Sequence, residues 1–189
     1  MIILGVDPGT LITGYGVIEV KNGKLRMLAS DVIKNRSDYS MPLRLKKIYD
    51  TLCMVIDRYH PDEFAIETAF YGKNVQSALK LGHARGVSIL AAVHRQLPTS
   101  EYSPREIKQS VVGSGAASKD QVSYMVQAIF RIKERSKNLD VTDALAVAFC
   151  HYLRRVSTPT LSGKPASRSK SSATSWKSFV EKNTHRIIK

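Results

Sequence analysis

Apolar and polar positions change their period several times along the 189-residue chain, and each change marks an element. Ile2 to Val6 is an unbroken apolar run, as in a strand buried on both faces, and it stops at the turn signal Asp7-Pro8-Gly9. β-formers dominate Gly14 to Val20. Asn22-Gly23, a favoured two-residue hairpin turn, then leads into a third strand over Lys24–Ile33. From Pro42 the period lengthens: Leu43, Leu45, Ile48, Leu52, Val55 and Ile56 recur at helical spacing, with Ser40 placed as the N-cap. A short strand follows at Glu63–Glu67, then a long helix from Asn74 to about Gln96 and a brief strand at Thr99–Tyr102. Ser103-Pro104 opens another helix, with serine capping and proline at the first helical position. Two more helices are expected, from Ser118 to about Glu134 and from Asp140 to about Arg154.

A three-strand meander followed by alternating helix and strand predicts an α/β fold. Its sheet is mixed and five-stranded, an antiparallel meander plus two parallel strands, flanked by helices. The helix after the third strand returns the chain, so the strand ending at Glu67 can lie parallel to the first. Right-handed crossover geometry then puts Asp7 and Glu67 on one rim of the sheet. After Val156 the composition turns to Ser, Thr, Pro, Lys and Arg. Residues 1–156 are therefore expected to form one domain, and 157–189 a basic, flexible tail in which Trp176 and Phe179 have no evident partner. No internal repeat is visible.

Charge narrows the function. Lys and Arg number 29 against 16 Asp and Glu, a net charge of +13. The tail carries seven basic residues and one acid, which leaves +7 on residues 1–156, so the body is basic in its own right. Such an excess favours a polyanion, either nucleic acid or an acidic membrane surface. Two isolated cysteines, Cys53 and Cys150, suit a reducing compartment and argue against a disulfide framework or a zinc site. No apolar run approaches the ~20 residues needed to span a bilayer, and the expectation is a soluble, cytoplasmic protein.

Against that basic background four acids stand out. Asp7 and Glu67 each close an apolar strand, where a charge belongs only at the edge of the core. Asp140 and Asp143 stand three apart at the start of a helix and so share a face. Taken singly, each has an ordinary reading: a turn residue, an exposed strand end, an N-cap, a first-turn acid. Taken together at one rim, four carboxylates would repel one another unless a cation joined them. All-oxygen ligands suit Mg²⁺ or Mn²⁺ rather than zinc. Two such ions can activate water on one side of a phosphodiester and stabilise the leaving oxygen on the other.

An ordered set of motifs then carries a resemblance. It comprises Ile3-Leu-Gly-Val-Asp-Pro-Gly-Thr10, Thr13-Gly-Tyr-Gly16, Phe64-Ala-Ile-Glu67, Asn74 and Ser77-Ala-Leu-Lys-Leu-Gly82. Ala84-Arg-Gly86, Lys108-Gln109, Val111-Val-Gly113 and Asp140-Val-Thr-Asp-Ala-Leu-Ala146 follow. Over Ile2 to about Leu153 the chain resembles the RuvC family of Holliday junction resolvases, in the ribonuclease H-like superfamily. The resemblance implies a homodimer that binds a four-way DNA junction and nicks two strands of like polarity. It implies two Mg²⁺ ions per subunit, with Mn²⁺ able to substitute, on Asp7, Glu67, Asp140 and Asp143. Some relatives have histidine at the last of these positions. The RuvA–RuvB branch-migration complex becomes an expected partner, and the tail lies outside the resemblance.

Lys108 and Lys119 match family lysines near the scissile phosphate, where a cation steadies the charge of the pentavalent state. Phe70, on a loop after the Glu67 strand, matches an aromatic suited to stacking on an unpaired base. Lys73, Lys80, Arg85 and Arg105 are candidates for backbone contacts, which position DNA without reading it. Ala78, Gly82 and Gly86 form a small-residue stripe that fits either the family's dimer interface or close packing on the chain's own sheet. The five histidines show no ligand spacing and receive no role. Three rivals remain: an actin–Hsp70-type ATPase domain, which also opens with Asp-x-Gly-Thr; a DNA-binding module without catalysis; and a relative acting on RNA.

Overall fold

The computed structural model describes residues 1–68, 75–132 and 139–157, with backbone alone at 139, 140 and 157. Strand β1 (Ile2–Asp7) lies at the centre of a five-stranded sheet ordered β3-β2-β1-β4-β5. β2 (Ile12–Lys21) and β3 (Lys24–Lys34) complete an antiparallel meander, while β4 (Glu63–Glu67) and β5 (Thr99–Tyr102) add in parallel on the other side. This is the expected mixed sheet. Asn22 and Gly23 turn the hairpin with φ of 52° and 71°, the left-handed pair that matches the twist of the flanking strands. β1 runs one residue past its apolar pattern and β2 three, two at its start and one at its end, because ladder pairing continues beyond the β-forming run.

Alternation along the strands splits the core in two. Leu4 and Val6 of β1, Val17 of β2, and Phe64 and Ile66 of β4 face one layer. That layer is helix α1 (Met41–Tyr59), through Ile48, Leu52, Cys53, Val55 and Ile56, with α2 (Val75–His94), through Ala84, Ser88, Ala91 and Ala92. Ile3, Ile18 and Ala65 face the other layer, formed by α5 (Leu139–Ser157) with α3 (Pro104–Val112) and α4 (Lys119–Phe130) beside it.

α5 lies directly across β1 and β2. An added Cβ at Gly16 would stand 2.7 Å from Leu145 Cδ2, and one at Gly5 would collide with the backbone of Ala144 and Ala148. Glycine on the strands and alanine on the helix thus bring α5 unusually near the sheet. Every residue from Ala144 to Cys150 is buried as a result.

Several local expectations need correction. Ser40 occupies the N-cap position of α1 in an extended conformation, yet its side chain makes no capping bond, so Pro42 in the first turn is the stronger start signal. Leu43, counted in the apolar period of α1, is 55% exposed because it precedes the part of the helix that meets the sheet. α2 stops at His94, before the left-handed Gln96. α4 ends at Phe130 instead of near Glu134, since Arg131 takes a left-handed C-cap (φ 53°) and its N–H bonds back to Ala128 and Gln127 carbonyls. α5 runs to Ser157, past the expected Arg154.

Candidate active site

Two parallel neighbours place the first two acids. Val6 pairs with Ile66, so the next residues, Asp7 and Glu67, end adjacent strands on the same rim. Both continue the alternating set that faces α5: Ile3, Gly5, Asp7 on β1 and Glu63, Ala65, Glu67 on β4. Asp143 comes from α5 itself, one residue before Ala144, whose carbonyl abuts Gly5. The close approach of α5 to the sheet is therefore what carries the third carboxylate to the first two.

A reciprocal clamp holds the turn after Asp7. Thr13 is fully buried; its hydroxyl donates to the Gly9 carbonyl at 2.6 Å and accepts from the Gly9 N–H at 3.3 Å. Both chain directions around Asp7-Pro8-Gly9 are thereby tied to the start of β2. Capping boxes set the two helices opposite. Ser103 and Glu106 bond reciprocally at the start of α3, as do Ser118 and Gln121 at the start of α4. The second box makes Lys119 the first residue of its helix. A cation at a helix N-terminus opposes the helix dipole, at a cost of roughly 0.3–1 kcal/mol. Its Nζ lies 3.2 Å from Asp143 Oδ2, a contact that offsets this cost.

Electrostatics reports the same convergence. Burial, and then the neighbouring Asp143 carboxylate, push the Glu67 carboxyl up to about 7, against the opposing pull of Lys119 and Lys108. The Lys119 ammonium is held above its usual range chiefly by Asp143, with Asp7 and Glu67 adding. Lys119 thus sits among three acids from three elements. A cavity of about 220 Å³ opens beside them, lined by Glu67, Lys108, Lys119 and Asp143 over an apolar wall of Ile107, Val122 and Ala146.

Asp140 lies on the first turn of α5, one turn before Asp143, and its side chain is outside the described residues. Among the described residues no three Asp, Glu, His or Cys side chains already stand as a metal-ligand set. The donor chemistry nonetheless fits a hard divalent cation. All candidate donors are carboxylate oxygens, the half-buried Glu67 and Asp143 line one cavity, and the Lys119 ammonium beside Asp143 now supplies positive charge there.

The remaining candidates are scattered. Lys108 lines the cavity. Arg105 is exposed on α3 and Lys80 on α2. Arg85 ion-pairs with Glu101 of β5. Phe70 and Lys73 lie outside the described residues. On α2, no described residue stands within 4 Å of a Cβ added at Gly82 or Gly86, so those glycines do not pack on the chain's own sheet. Sequence reasoning passed over Thr13 and His151. Thr13 lay within a quoted motif, but its hydrogen-bond partner is a backbone group that no pattern names. His151 had no spacing to other ligands, because its contacts come from distant strands.

The mixed sheet crossed by α5 is the ribonuclease H-like fold, and carboxylates gathered at its rim suit metal-dependent phosphodiester chemistry. Comparison with known proteins makes the class specific. Residues 3–151 match the family model of crossover junction endodeoxyribonuclease RuvC. The chain belongs to the RuvC family. Relatives so named include that of Chloroherpeton thalassium, 46% identical over 189 residues and covering 100% of both chains. That of Salinibacter ruber is 44% identical over 187 residues, covering 99% of each. Among solved structures, Thermus thermophilus RuvC in complex with Holliday junction substrate superposes with a TM-score of 0.77 at 33% identity, covering 82% of this chain and 96% of that one. The yeast mitochondrial resolvase Ydc2, at 14% identity and a TM-score of 0.54, shares the fold. Membership in this family sets aside the ATPase alternative.

Proposed function

We propose that the chain is a structure-selective DNA endonuclease that resolves four-way junctions by metal-dependent phosphodiester hydrolysis, in homologous recombination and DNA repair. The observation that carries this reading is the meeting of Asp7, Glu67 and Asp143 around the Lys119 ammonium at one rim of the sheet. The names of the relatives and the junction bound to the Thermus protein support the substrate.

Asp7, Glu67 and Asp143, with Asp140 one helical turn away, would hold the ions, expected to be two Mg²⁺ with Mn²⁺ as a substitute. Bound there, divalent ions supply an activated water and stabilisation of the leaving oxygen. The chain's own contribution is placement and charge. Lys108 and Lys119 flank the cavity on the side of α3 and α4, where they can neutralise a phosphate whose negative charge grows as water adds and the ester bond breaks. Ile107, Val122 and Ala146 keep one wall dry, which strengthens every interaction across it. Phe70 is proposed to stack on an unpaired base, and Lys73, Lys80 and Arg105 to track the backbone. Arg85 needs to leave Glu101 to join them.

A homodimer is supported by α2. Val75, Leu79, Leu90 and Val93 are 46–71% exposed, and the open glycines Gly82 and Gly86 fall on the same stripe. The stripe is long enough to seat a second copy. The RuvA–RuvB complex is the partner proposed from the family, and the cytoplasm the site of action. No described helix is long and apolar enough to cross a membrane. The basic tail is proposed to add non-specific DNA affinity.

The test compares cleavage of a synthetic four-way DNA junction, a linear duplex and an RNA–DNA hybrid by wild type and Asp7→Asn. Selective, Mg²⁺-dependent nicking of the junction is expected, with Asp7→Asn still binding but not cutting. Unchanged nicking by Asp7→Asn would overturn the assignment of the acids, and preference for the hybrid would transfer the reading to RNA.

A further inference from the structure

α5 runs antiparallel to β4 over the core that holds Ala65, with a polar rung near each end of the strand. At one, Asp143 and Glu67 line the same cavity. At the other, His151 of α5 meets Glu63 of β4. The spacings agree: eight helical residues from Asp143 to His151 rise about 12 Å, and four strand residues from Glu67 back to Glu63 span about 13 Å. One helical register therefore closes both rungs together.

The rungs differ in sign. Asp143 and Glu67 are both carboxylates and tend to part. His151 is 2% exposed and held on both ring nitrogens: Nε2 contacts the Glu63 carboxylate and Nδ1 lies 2.8 Å from the Tyr102 hydroxyl of β5. The tautomer with its proton on Nε2 satisfies both contacts, donating to Glu63 and accepting from Tyr102. Arg155, one turn further on, reaches the second Glu63 oxygen at 2.9 Å. Tyr102 also pairs in register with Glu67 across β4 and β5. The attractive rung is thus joined to the very strand residues that end at the site.

We propose that His151, bridging Glu63 and Tyr102, is a positioning residue whose rung holds α5 in the register that keeps Asp143 against Glu67. It rests on the ion site proposed above only where metal is read. The rung itself is read without metal. If it opposes carboxylate repulsion, its removal must cost less once that repulsion is gone. Positions 151 and 67 lie about 13 Å apart along β4 and are linked only indirectly, through the Tyr102 position of β5, and sites that distant are otherwise additive to within about 0.5 kcal/mol, less than a 3-fold effect.

Two measurements test this. In urea denaturation at pH 8 with divalents chelated, His151→Ala should lower the folding constant at least about 3-fold less in the Glu67→Gln background than in wild type. Additive effects overturn the proposal. In direct Mn²⁺ titration followed by electron paramagnetic resonance, His151→Ala should bind about 3–10-fold more weakly, less than the loss of a group bonded directly to a ligand, because His151 contacts Glu63 and Tyr102 instead. Junction affinity without divalents should stay within about 2-fold. A folded His151→Ala with unaltered Mn²⁺ affinity also overturns it. Should His151→Ala not fold, Tyr102→Phe and His151→Gln serve instead. The first should show a smaller loss of the same sign. The second, able to donate to Glu63, should recover most of the affinity, and equal behaviour of both with wild type overturns the proposal. Absence of Mn²⁺ binding by wild type would refute the ion site, while the metal-free comparison would still decide the rung.

Discussion

Gly5→Ala adds one carbon at the point where the central strand and α5 come closest. That carbon would stand 2.6 Å from Ala148 N and 2.8 Å from Ala148 Cβ, and nearer still to Ala144 O. Ordinary contact begins near 3.4 Å, so α5 must retreat by about 0.8 Å or more. Two of these obstacles are backbone atoms and cannot rotate away. Overpacking of this kind costs roughly 1–3 kcal/mol. Asp143 lies one residue from Ala144, so the retreat also draws its carboxylate away from Asp7 and Glu67. A displacement near 1 Å at a reacting centre costs on the order of 10²-fold. Gly5→Ala should therefore lose about 1–3 kcal/mol in urea denaturation and about 10²-fold in kcat on a four-way junction, with junction binding in the absence of divalents retained. Gly82→Ala is the matched control. Its added carbon meets none of the described residues within 4 Å, so its effect should fall on self-association measured by sedimentation. A Gly5→Ala enzyme with the stability and rate of wild type would refute the idea that contact between β1 and α5 sets the site.

Other expectations follow from the same geometry. The Glu67 carboxyl is raised from 4.5 to about 7, so the folded state holds its proton more tightly than the unfolded chain, and the associated stability is full below pH 4.5 and lost as pH rises through 7. With divalents chelated, Glu67→Gln should match wild type near pH 4.5 and exceed it at pH 8 by up to about 3 kcal/mol; equal stabilities across that range in urea titrations would contradict the burial of Glu67. Thr13→Val keeps the side-chain shape but leaves the Gly9 carbonyl and N–H without their clamp. It should cost about 1–3 kcal/mol, and a larger proportional loss in kcat than in junction affinity is expected in steady-state assays. Truncation after Val156 removes seven basic residues, and in fluorescence anisotropy it should weaken junction binding and flatten its salt dependence while cleavage persists; an unaltered salt slope would show that the tail makes no phosphate contacts.

Local physics was enough for much of the molecule. β4 and β5 begin and end at the expected residues, and the Asn22-Gly23 turn and the Ser103 and Ser118 caps follow from residues within four positions of one another. Asp7 and Glu67 were legible because a charge at the end of an apolar strand has few structural uses, and the strand order then put both on one rim. Helix ends were less legible: Arg131 and Gln96 adopt left-handed conformations that their side chains do not announce.

What tertiary structure alone decided were contacts between residues far apart in the chain, since period and propensity carry no information about partners. Gly5 against Ala144 and Ala148, Lys119 on Asp143, Arg85 on Glu101, and His151 between Glu63 and Tyr102 all join separate elements. A glycine reads the same in sequence whether it faces a helix, as Gly5 does, or open space, as Gly82 does. The sequence by itself determined which groups could do chemistry. Packing of α5 on the sheet determined that they meet, because carboxylates that repel one another gather only where the burial of the surrounding core holds them.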